Sequence, residues 1–589
     1  MEGDVILKRG IAWLKFSRPC RVIVTDKLDD VRKSLEEVER LVNEHGWTAA
    51  GFVSYEAAPA FDSAMRVFPS QGFPLLWFGL YESPQVMETS EVFKDSENHA
   101  ALQWEAEIER EAYNEAIERI KEYIAQGKTY QVNYTMRLRA DHEADAWTLF
   151  LHLAQNQNKY AAFVDTGDWA VCCASPELFF ELDGDIITSR PMKGTVKRGR
   201  TTGEDKIQAD WLRASEKNRA ENVMIVDMIR NDIGRIAEIG SVTVPELFTI
   251  EKYPTLFQMT STVRARTKAA ITEIFSALFP CASITGAPKV STMKIIAELE
   301  TSPRRIYCGS IGTIEPNRKA CFNVAIRTAL VEKRSGKAEY GVGGGVVWDS
   351  TSSDEYGEAL LKARVLTQPP QEEFSLFETL LWTPEEGYFL LDKHIARMMD
   401  SAEYFGFPTE NTESTEGEFR RKMVNVLDEL VKGASLPKRV KILMNSKGEF
   451  SNEVKDFHPG GGIFKVCLAK EPVNSNDPFL FHKTTRRGVY ERAAVKGFDD
   501  VLLFNENGEL TEFTIGNLVV KRGGEFFTPP VECGLLAGTF RAELVACGEV
   551  KEQALRIQDL AECEAVFLVN SVRKWVRVKV IEGDGAPER

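Results

Sequence analysis

Lys193 stands in Ser189-Arg190-Pro191-Met192-Lys193-Gly194-Thr195, directly after the apolar pair Ile186-Ile187. Proline stiffens the backbone before it and glycine frees the backbone after it, so the amine is expected at a defined place on a turn. Such a lysine can be a nucleophile in its neutral form. Burial and the nearby cations Arg190 and Lys197 would lower its pKa toward that form. Alone, the same spacing more often describes a turn lysine paired with a surface carboxylate, and its companions reverse that reading. Upstream, Ser175-Pro176-Glu177 runs into Leu178-Phe179-Phe180. A carboxyl entering an apolar strand has a raised pKa, which suits a general acid. Downstream, Glu221 lies one helical turn before Ile225, beside apolar side chains, and Glu358 shares a helix face with Lys362. Two glutamates from distant helices, with no cysteine or histidine cluster, are what Mg²⁺ takes, the remaining ligands coming from substrate and water.

Three further features suit an anionic ligand. Thr285-Gly286-Ala287-Pro288-Lys289 is expected to open a helix with free amide groups. Gly341-Val342-Gly343-Gly344-Gly345 can bring N–H groups close to a carboxylate, or can mark a tight strand crossing. Arg327 is a cation inside the strand-like run Val324-Ala325-Ile326-Arg327-Thr328, an expensive position unless it binds something.

A second constellation lies near the C-terminus. Leu391-Asp392-Lys393-His394-Ile395-Ala396-Arg397 begins a helix with Met398, Ala402 and Phe405 on its apolar side, and Arg397 is a candidate phosphate ligand. Lys483 precedes a hairpin pattern: the apolar strand from Asp500, an Asn507-Gly508 turn, then a strand carrying Glu512 inward. Gly538-Thr539 offers a glycine and a hydroxyl just before a helix, a phosphate cradle.

The elements that must position these groups read as α+β. A chain of 589 residues calls for several lobes. Leu28, Val31, Leu35, Val38 and Leu41 recur at helical spacing and stop at Gly46, and residues 51–55 read as a buried strand. A second helix is expected over 107–126. The alternation of Tyr130, Val132, Tyr134, Met136 and Leu138 then predicts a half-buried strand. Without βαβ units or a G-x-G-x-x-G turn, the sheets are expected to be antiparallel and covered by helices. The prolines and acidic flank of 367–373 mark a linker between domains at 1–366 and 374–589. No apolar run, Ala565 to Val569 included, approaches the length of a membrane span, and no secretory signal opens the chain. Ten scattered cysteines without a C-x-x-C pair argue for a cytoplasmic protein and against zinc. A net charge of -15 disfavours nucleic acid.

The words S-P-E (175–177), P-M-K-G-T (191–195), A-E-N-V-M-I-V-D-M-I-R-N-D (220–232), S-I-T-G-A-P-K (283–289), C-G-S-I-G (308–312), V-A-I-R-T (324–328) and E-Y-G-E-A-L-L-K-A-R (355–364) resemble, in this order and spacing, the chorismate-utilising enzymes. The resemblance covers most of residues 1–366 and implies that family's fold. Anthranilate-forming members carry alanine at position 193, whereas lysine is similar to the aminodeoxychorismate-forming members. Lys193 would then add to ring C2 of chorismate while Glu177 protonates the departing 4-hydroxyl. Ammonia enters at C4 and the lysine leaves. Glu221 and Glu358 would hold Mg²⁺ against the ring carboxylate, with Arg327, Lys362, Thr285, Gly286, Gly344 and Gly345 binding substrate. There is one departure: Gln258 stands where many relatives have histidine. A glutamine positions an amine but takes no proton near neutral pH, so the base for the incoming nitrogen stays open.

H-x-x-R (394–397), Lys483, E-x-x-x-x-N (512–517), G-T-F-R (538–541) and N-S-V-R (570–573) resemble the fold-type IV pyridoxal-phosphate enzymes, an α/β domain pair, from Phe374 to Val580. This implies pyridoxal 5'-phosphate joined to Lys483, with Glu512 keeping the pyridine nitrogen protonated. Phosphate would lie on Arg397 and Gly538-Thr539, with Asn570 and Ser571 also at the cofactor. Thr539-Phe540 replaces the commoner Ile-Thr and moves the hydroxyl by one residue. A homodimer through this domain is implied as well. The family includes transaminases and aminodeoxychorismate lyase, and fusion to an aminodeoxychorismate producer favours the lyase. Together the halves imply 4-aminobenzoate synthesis for folate. The alternatives are a transaminase in the second half, or anthranilate or isochorismate formation in the first. No glutaminase motif is present, so free ammonia or a separate glutamine amidotransferase subunit supplies nitrogen.

Overall fold

A computed structural model describes residues 2–10, 12–94, 102–142, 145–156, 159–367, 373–409, 415–458, 460 and 462–581. The chain divides into two compact units, Met1–Val196 with Trp211–Gln371 and Lys197–Asp210 with Glu372–Arg589. The linker expected at 367–373 lies almost wholly outside the described residues.

The first unit is built on two ten-stranded sheets. Their inner faces meet in a core of Val5, Phe16, Phe52, Trp77, Val171 and Leu330. The outer faces are covered by helices, which makes four layers. Helix Leu28–His45 buries Val31, Leu35, Val38, Leu41 and Val42 against one sheet and ends at Gly46, whose φ of 70° suits glycine. Helices Arg110–Ala125, Ala146–Asn156 and Ser352–Ala363 cover the other. The helix expected from 107 starts at Arg110, because Glu105–Ala106 pairs as a short strand and the Glu107 amide bonds the Arg137 carbonyl. The strand expected over 51–55 is Thr48–Val53, with Tyr55 already in a helical turn.

The half-buried strand is Gln131–Asp141, and it is buried on both faces through Leu138, while Tyr130 is exposed. Its polar face carries a closed ionic network. Glu300 accepts from the Thr135 hydroxyl at 2.7 Å, from Arg304 at 2.6 Å and from Arg137 at 3.3 Å. Arg304 also donates to the carbonyls of Asn133 and Ile284. Burial, which pushes the Glu300 carboxyl up, is outweighed by Arg304 and Arg137, and the net shift is downward. Alternation predicted which residues face together, but not that the polar face would find buried partners.

The second unit holds a four-stranded antiparallel sheet in the order Gly387–Tyr388, Leu376–Thr383, Lys438–Met444, Phe450–Asp456, backed by helices Leu391–Phe405 and Thr415–Leu430. It also holds an eight-stranded mixed sheet. There Phe464–Leu468 lies parallel to both Asp500–Phe504 and Lys574–Val580, and Leu510–Phe513 also pairs with Asn517–Arg522. Residues 197–210 pack with this unit: Arg198 pairs with Asp205 at 2.6 Å and lies over the Tyr404 ring, and the Tyr404 hydroxyl donates to the Gly199 carbonyl at 2.7 Å.

Glu300→Gln should cost the first unit about 3–5 kcal/mol, because Arg137 and Arg304 would keep buried charges without a counter-ion. Urea unfolding followed by tryptophan fluorescence measures it, and an unchanged midpoint would contradict the network's role.

Candidate active sites

Strand Trp169–Ser175 belongs to one sheet of the first unit and strand Leu178–Asp183 to the other, so Pro176 and Glu177 lie where the chain crosses between them. A second crossing, from Lys319–Val324 to Thr328–Glu332, carries Arg327 at a φ of 52°. The crossings are bonded side by side: the Val324 amide donates to the Glu177 carbonyl at 3.1 Å, the Ala174 amide to the Arg327 carbonyl at 3.0 Å, and the Ser175 hydroxyl to the Val324 carbonyl at 2.6 Å. Arg327 is therefore at a turn, not inside a strand. None of the described ion pairs involves it, and burial lowers the pKa of its guanidinium.

Lys193 is the second residue of strand Met192–Lys197, which follows Ile186–Arg190 after a break at Pro191. The expected turn is thus a single proline, and the lysine opens a new edge strand. Burial lowers its pKa; Glu221, Glu177 and Glu358 oppose the shift, and Lys362 assists it. The assisting cation is Lys362, not the expected Arg190 or Lys197: Arg190 is bonded to Glu251 at 2.8 Å, and Lys197 begins the segment that packs with the second unit. Burial pushes Glu177 up to about 7, against a hydrogen bond of 2.8 Å from Ser283 to its Oε1, the charge of Lys193 and the Met192 backbone.

Strand Lys337–Val346 brings the glycines to this lysine. A methyl group on Gly345 would lie 2.1 Å from Gln131 Nε2 and 3.1 Å from Lys193 Nζ, and one on Gly344 would lie 2.9 Å from Glu355 Oε2 and 3.6 Å from Lys362 Nζ. Lys362 pairs with Glu358 at 2.8 Å and donates to the Gly343 carbonyl at 2.9 Å. The expected helix opening at 285–289 differs. Gly286–Ala287 forms a short strand against Val132 and Gln131, Lys289 starts the helix, and the Thr285 hydroxyl donates to the Cys281 carbonyl at 3.0 Å. Those amides and that hydroxyl are therefore partly committed to the fold. Gln258 donates to the Gly194 carbonyl at 2.9 Å and accepts from the Thr195 hydroxyl at 3.0 Å, clamping the backbone beside Lys193.

Among the described residues no group of three or more His, Cys, Asp or Glu can hold a metal alone. Glu355 is nevertheless raised first by burial, and Glu358 and Glu221 add to the shift as like charges. Such carboxylates suit a hard cation completed by a substrate oxygen.

In the second unit, Lys483 follows a short helical turn, and its carbonyl accepts from the Phe377 amide at 3.0 Å. Burial and then Arg397 lower its amine to about 8, against Glu378. Burial pushes Glu512 up to about 7 while Tyr490, at 2.8 Å, Asn517 and the Leu536 amide, each at 3.2 Å, donate to it. A carboxyl near neutrality is what a pyridine nitrogen needs as partner. Gly538 has no room for a side chain, since a methyl there would lie 1.9 Å from Asn517 Oδ1. Thr539 is the first residue of helix Thr539–Ala546. The Asn570 side chain accepts from the amides of Val572 and Arg573 and donates to the Ile515 carbonyl, and the Ser571 hydroxyl donates to the Thr379 carbonyl. Lys483 and Glu512 have the chemistry that an aldehyde cofactor with a ring nitrogen would use, while the Asn570 and Ser571 side chains are bonded to backbone groups.

Sequence reasoning missed Gln131, whose buried Oε1 has no partner; Ser283; Glu355; and Glu378. Ser283 and Glu355 lie inside motif words already noticed, but Gln131 and Glu378 have only alternating strand neighbours.

Residues 8–368 match the family described as chorismate binding enzyme, and residues 375–581 match that described as amino-transferase class IV. Aminodeoxychorismate synthase component 1 of Salmonella typhimurium is 40% identical over 269 residues, covering 45% of this chain and 59% of the relative. That of Escherichia coli is 41% identical over the same shares. The chain thus spans about three-fifths of the length of these curated relatives. Among solved structures, anthranilate synthase component I from Streptococcus pneumoniae superposes with a TM-score of 0.53 at 24% identity, covering 61% of this chain and 93% of its own, a likeness of fold.

An amine that deprotonates near 8 traps aldehydes at lower pH than an ordinary lysine. Borohydride trapping of a small aldehyde on Lys483, read by peptide mass spectrometry, should level off above about pH 8, whereas exposed lysines continue to rise toward 10.

Proposed function

Because the chain belongs to the chorismate binding enzymes, we propose that its first unit aminates chorismate to 4-amino-4-deoxychorismate and its second removes pyruvate to leave 4-aminobenzoate, a folate precursor. The observation that carries the first half is the meeting of a lysine whose pKa is lowered with a carboxyl raised to about 7. The neutral Lys193 amine forms a bond to ring C2, both conjugated ring double bonds shift by one position, and the C4–O bond breaks as Glu177 gives its proton to the departing hydroxyl, which leaves as water. Ammonia then bonds to C4, both double bonds return, and the C2–N bond breaks to free Lys193. The proton lost by the new ammonium goes back to Glu177, which removes the need for a histidine at Gln258. A covalent step divides one hard displacement into two easier ones.

Arg327, a partly buried cation outside any described ion pair, supports the reading as the partner of a substrate carboxylate. Glu221 and Glu358 are the residues that would hold Mg²⁺, which supplies positive charge against the other carboxylate. A side chain on Gly344 or Gly345 would collide with Glu355 or Gln131, so the two glycines let the backbone approach the groups around Lys193.

In the second unit, bound pyridoxal phosphate supplies an electron sink. Glu512, held by three donors, keeps the pyridine nitrogen protonated, and Lys483, neutral above about 8, carries a proton during loss of pyruvate. Nitrogen comes from a separate glutamine amidotransferase subunit. The protein works as a homodimer in the cytoplasm; among the described residues no helix is long and apolar enough to cross a membrane.

Mass-spectrometric product identification with chorismate, ammonium, Mg²⁺ and pyridoxal phosphate tests the whole reading: 4-aminobenzoate and pyruvate are expected, and anthranilate would overturn it. Lys193→Ala should abolish the first reaction, by 10³-fold or so, while conversion of supplied 4-amino-4-deoxychorismate persists; survival of both would refute the role of Lys193. The first reaction should also slow as pH rises through about 7, where Glu177 loses the proton it must give. Rates measured from pH 6 to 9 decide that.

A further inference from the structure

Glu378 lies on strand Leu376–Thr383, wholly buried, and belongs to none of the motifs above. Burial, which pushes its carboxyl up, is outweighed by Arg397 and His394, and the carboxyl is held at about 2. It is therefore a fixed negative charge behind a turn suited to an anion. That is an unfavourable place for a carboxylate unless it arranges the groups that meet the anion.

The bonds show what it arranges. Glu378 Oε1 accepts from Arg397 Nε at 2.8 Å, and Oε2 accepts from Arg397 Nη2 at 2.6 Å. Arg397 Nη1 donates to the carbonyl of Ala537, the residue before Gly538-Thr539, at 3.0 Å. A guanidinium has five N–H groups. Three are used, which leaves one N–H on Nη1 and one on Nη2 for the oxygens of an anion. Glu378 Oε2 also lies 2.6 Å from His394 Nδ1. A carboxylate only accepts, so the proton sits on Nδ1, and the ring is held with Nε2 at 3.2 Å from the Thr539 hydroxyl. In helix Thr539–Ala546 the Ala542 amide bonds the Gly538 carbonyl, leaving the earlier amides of that turn for a ligand.

We propose that Glu378 is the positioning residue of the phosphate cradle: one buried carboxylate fixes the Arg397 guanidinium so that its remaining N–H groups meet the phosphate. This rests on pyridoxal phosphate being the cofactor of the second unit.

The test separates the phosphate from the rest of the cofactor. Pyridoxal phosphate and pyridoxal, which lacks the phosphate, are titrated into the full-length apoprotein and followed by visible absorption. Glu378→Gln should weaken pyridoxal phosphate about tenfold or more, as expected for loss of a bidentate charged pair, while leaving pyridoxal binding within twofold. Glu378→Asp should recover part of the difference. Equal weakening of both ligands, or of neither, overturns the proposal. A wild-type protein that binds neither ligand overturns the cofactor reading, and the proposal with it. Should Glu378→Gln not yield folded protein, Glu378→Asp, which keeps the charge but shortens the reach to Arg397, must itself show a smaller loss confined to pyridoxal phosphate. An unchanged ratio there overturns the proposal.

Discussion

The two chain crossings between the sheets of the first unit hold its chemistry in place. Each crossing satisfies backbone groups of the other, so neither Glu177 nor Arg327 can shift without breaking bonds at both. Crossing between packed sheets also takes Glu177 out of water, and Arg327 in part. The same geometry therefore fixes the acid, lifts its pKa to about 7, and leaves a cation that a carboxylate can satisfy.

Burial does the same work twice. In each unit a carboxyl is lifted to about 7 near a lysine whose pKa is lowered. The partners set the difference. Glu177 is held by Ser283 and the Met192 backbone and lies beside the Lys193 amine, which suits a group that gives and regains a proton. Glu512 is held by Tyr490, Asn517 and the Leu536 amide, which suits a group that stays beside one nitrogen and does not travel. Desolvation tunes both acids, and hydrogen bonding separates their roles.

The polar interior follows the rule that buried charge must be answered. Glu300 answers Arg304 and Arg137, and Glu378 answers Arg397 and His394. The first group joins a strand to a helix end and supports the wall that carries Gln131. The second stands behind a cradle. Gln258 belongs to the same class of supports, since it ties Gly194 and Thr195 and so keeps the backbone beside Lys193 in one conformation.

The sequence alone determined the identity of the chemical groups and the local elements that carry them. Apolar periodicity located the helix Leu28–His45 and the strand bearing Glu512, since spacing and turn residues are local quantities. Motif order similarly singled out Lys193, Glu177, Glu221, Glu358, Arg327 and Lys483 as candidates. Only the tertiary structure decided which charges meet. Arg190 and Lys197, neighbours of Lys193 in sequence, turn to other partners, while Lys362, far along the chain, faces it. Gln131 and Glu378 were illegible because their strands alternate like any others. A pKa, a clamp or an empty acceptor is a property of what surrounds a side chain, and those surroundings are assembled from segments hundreds of residues apart.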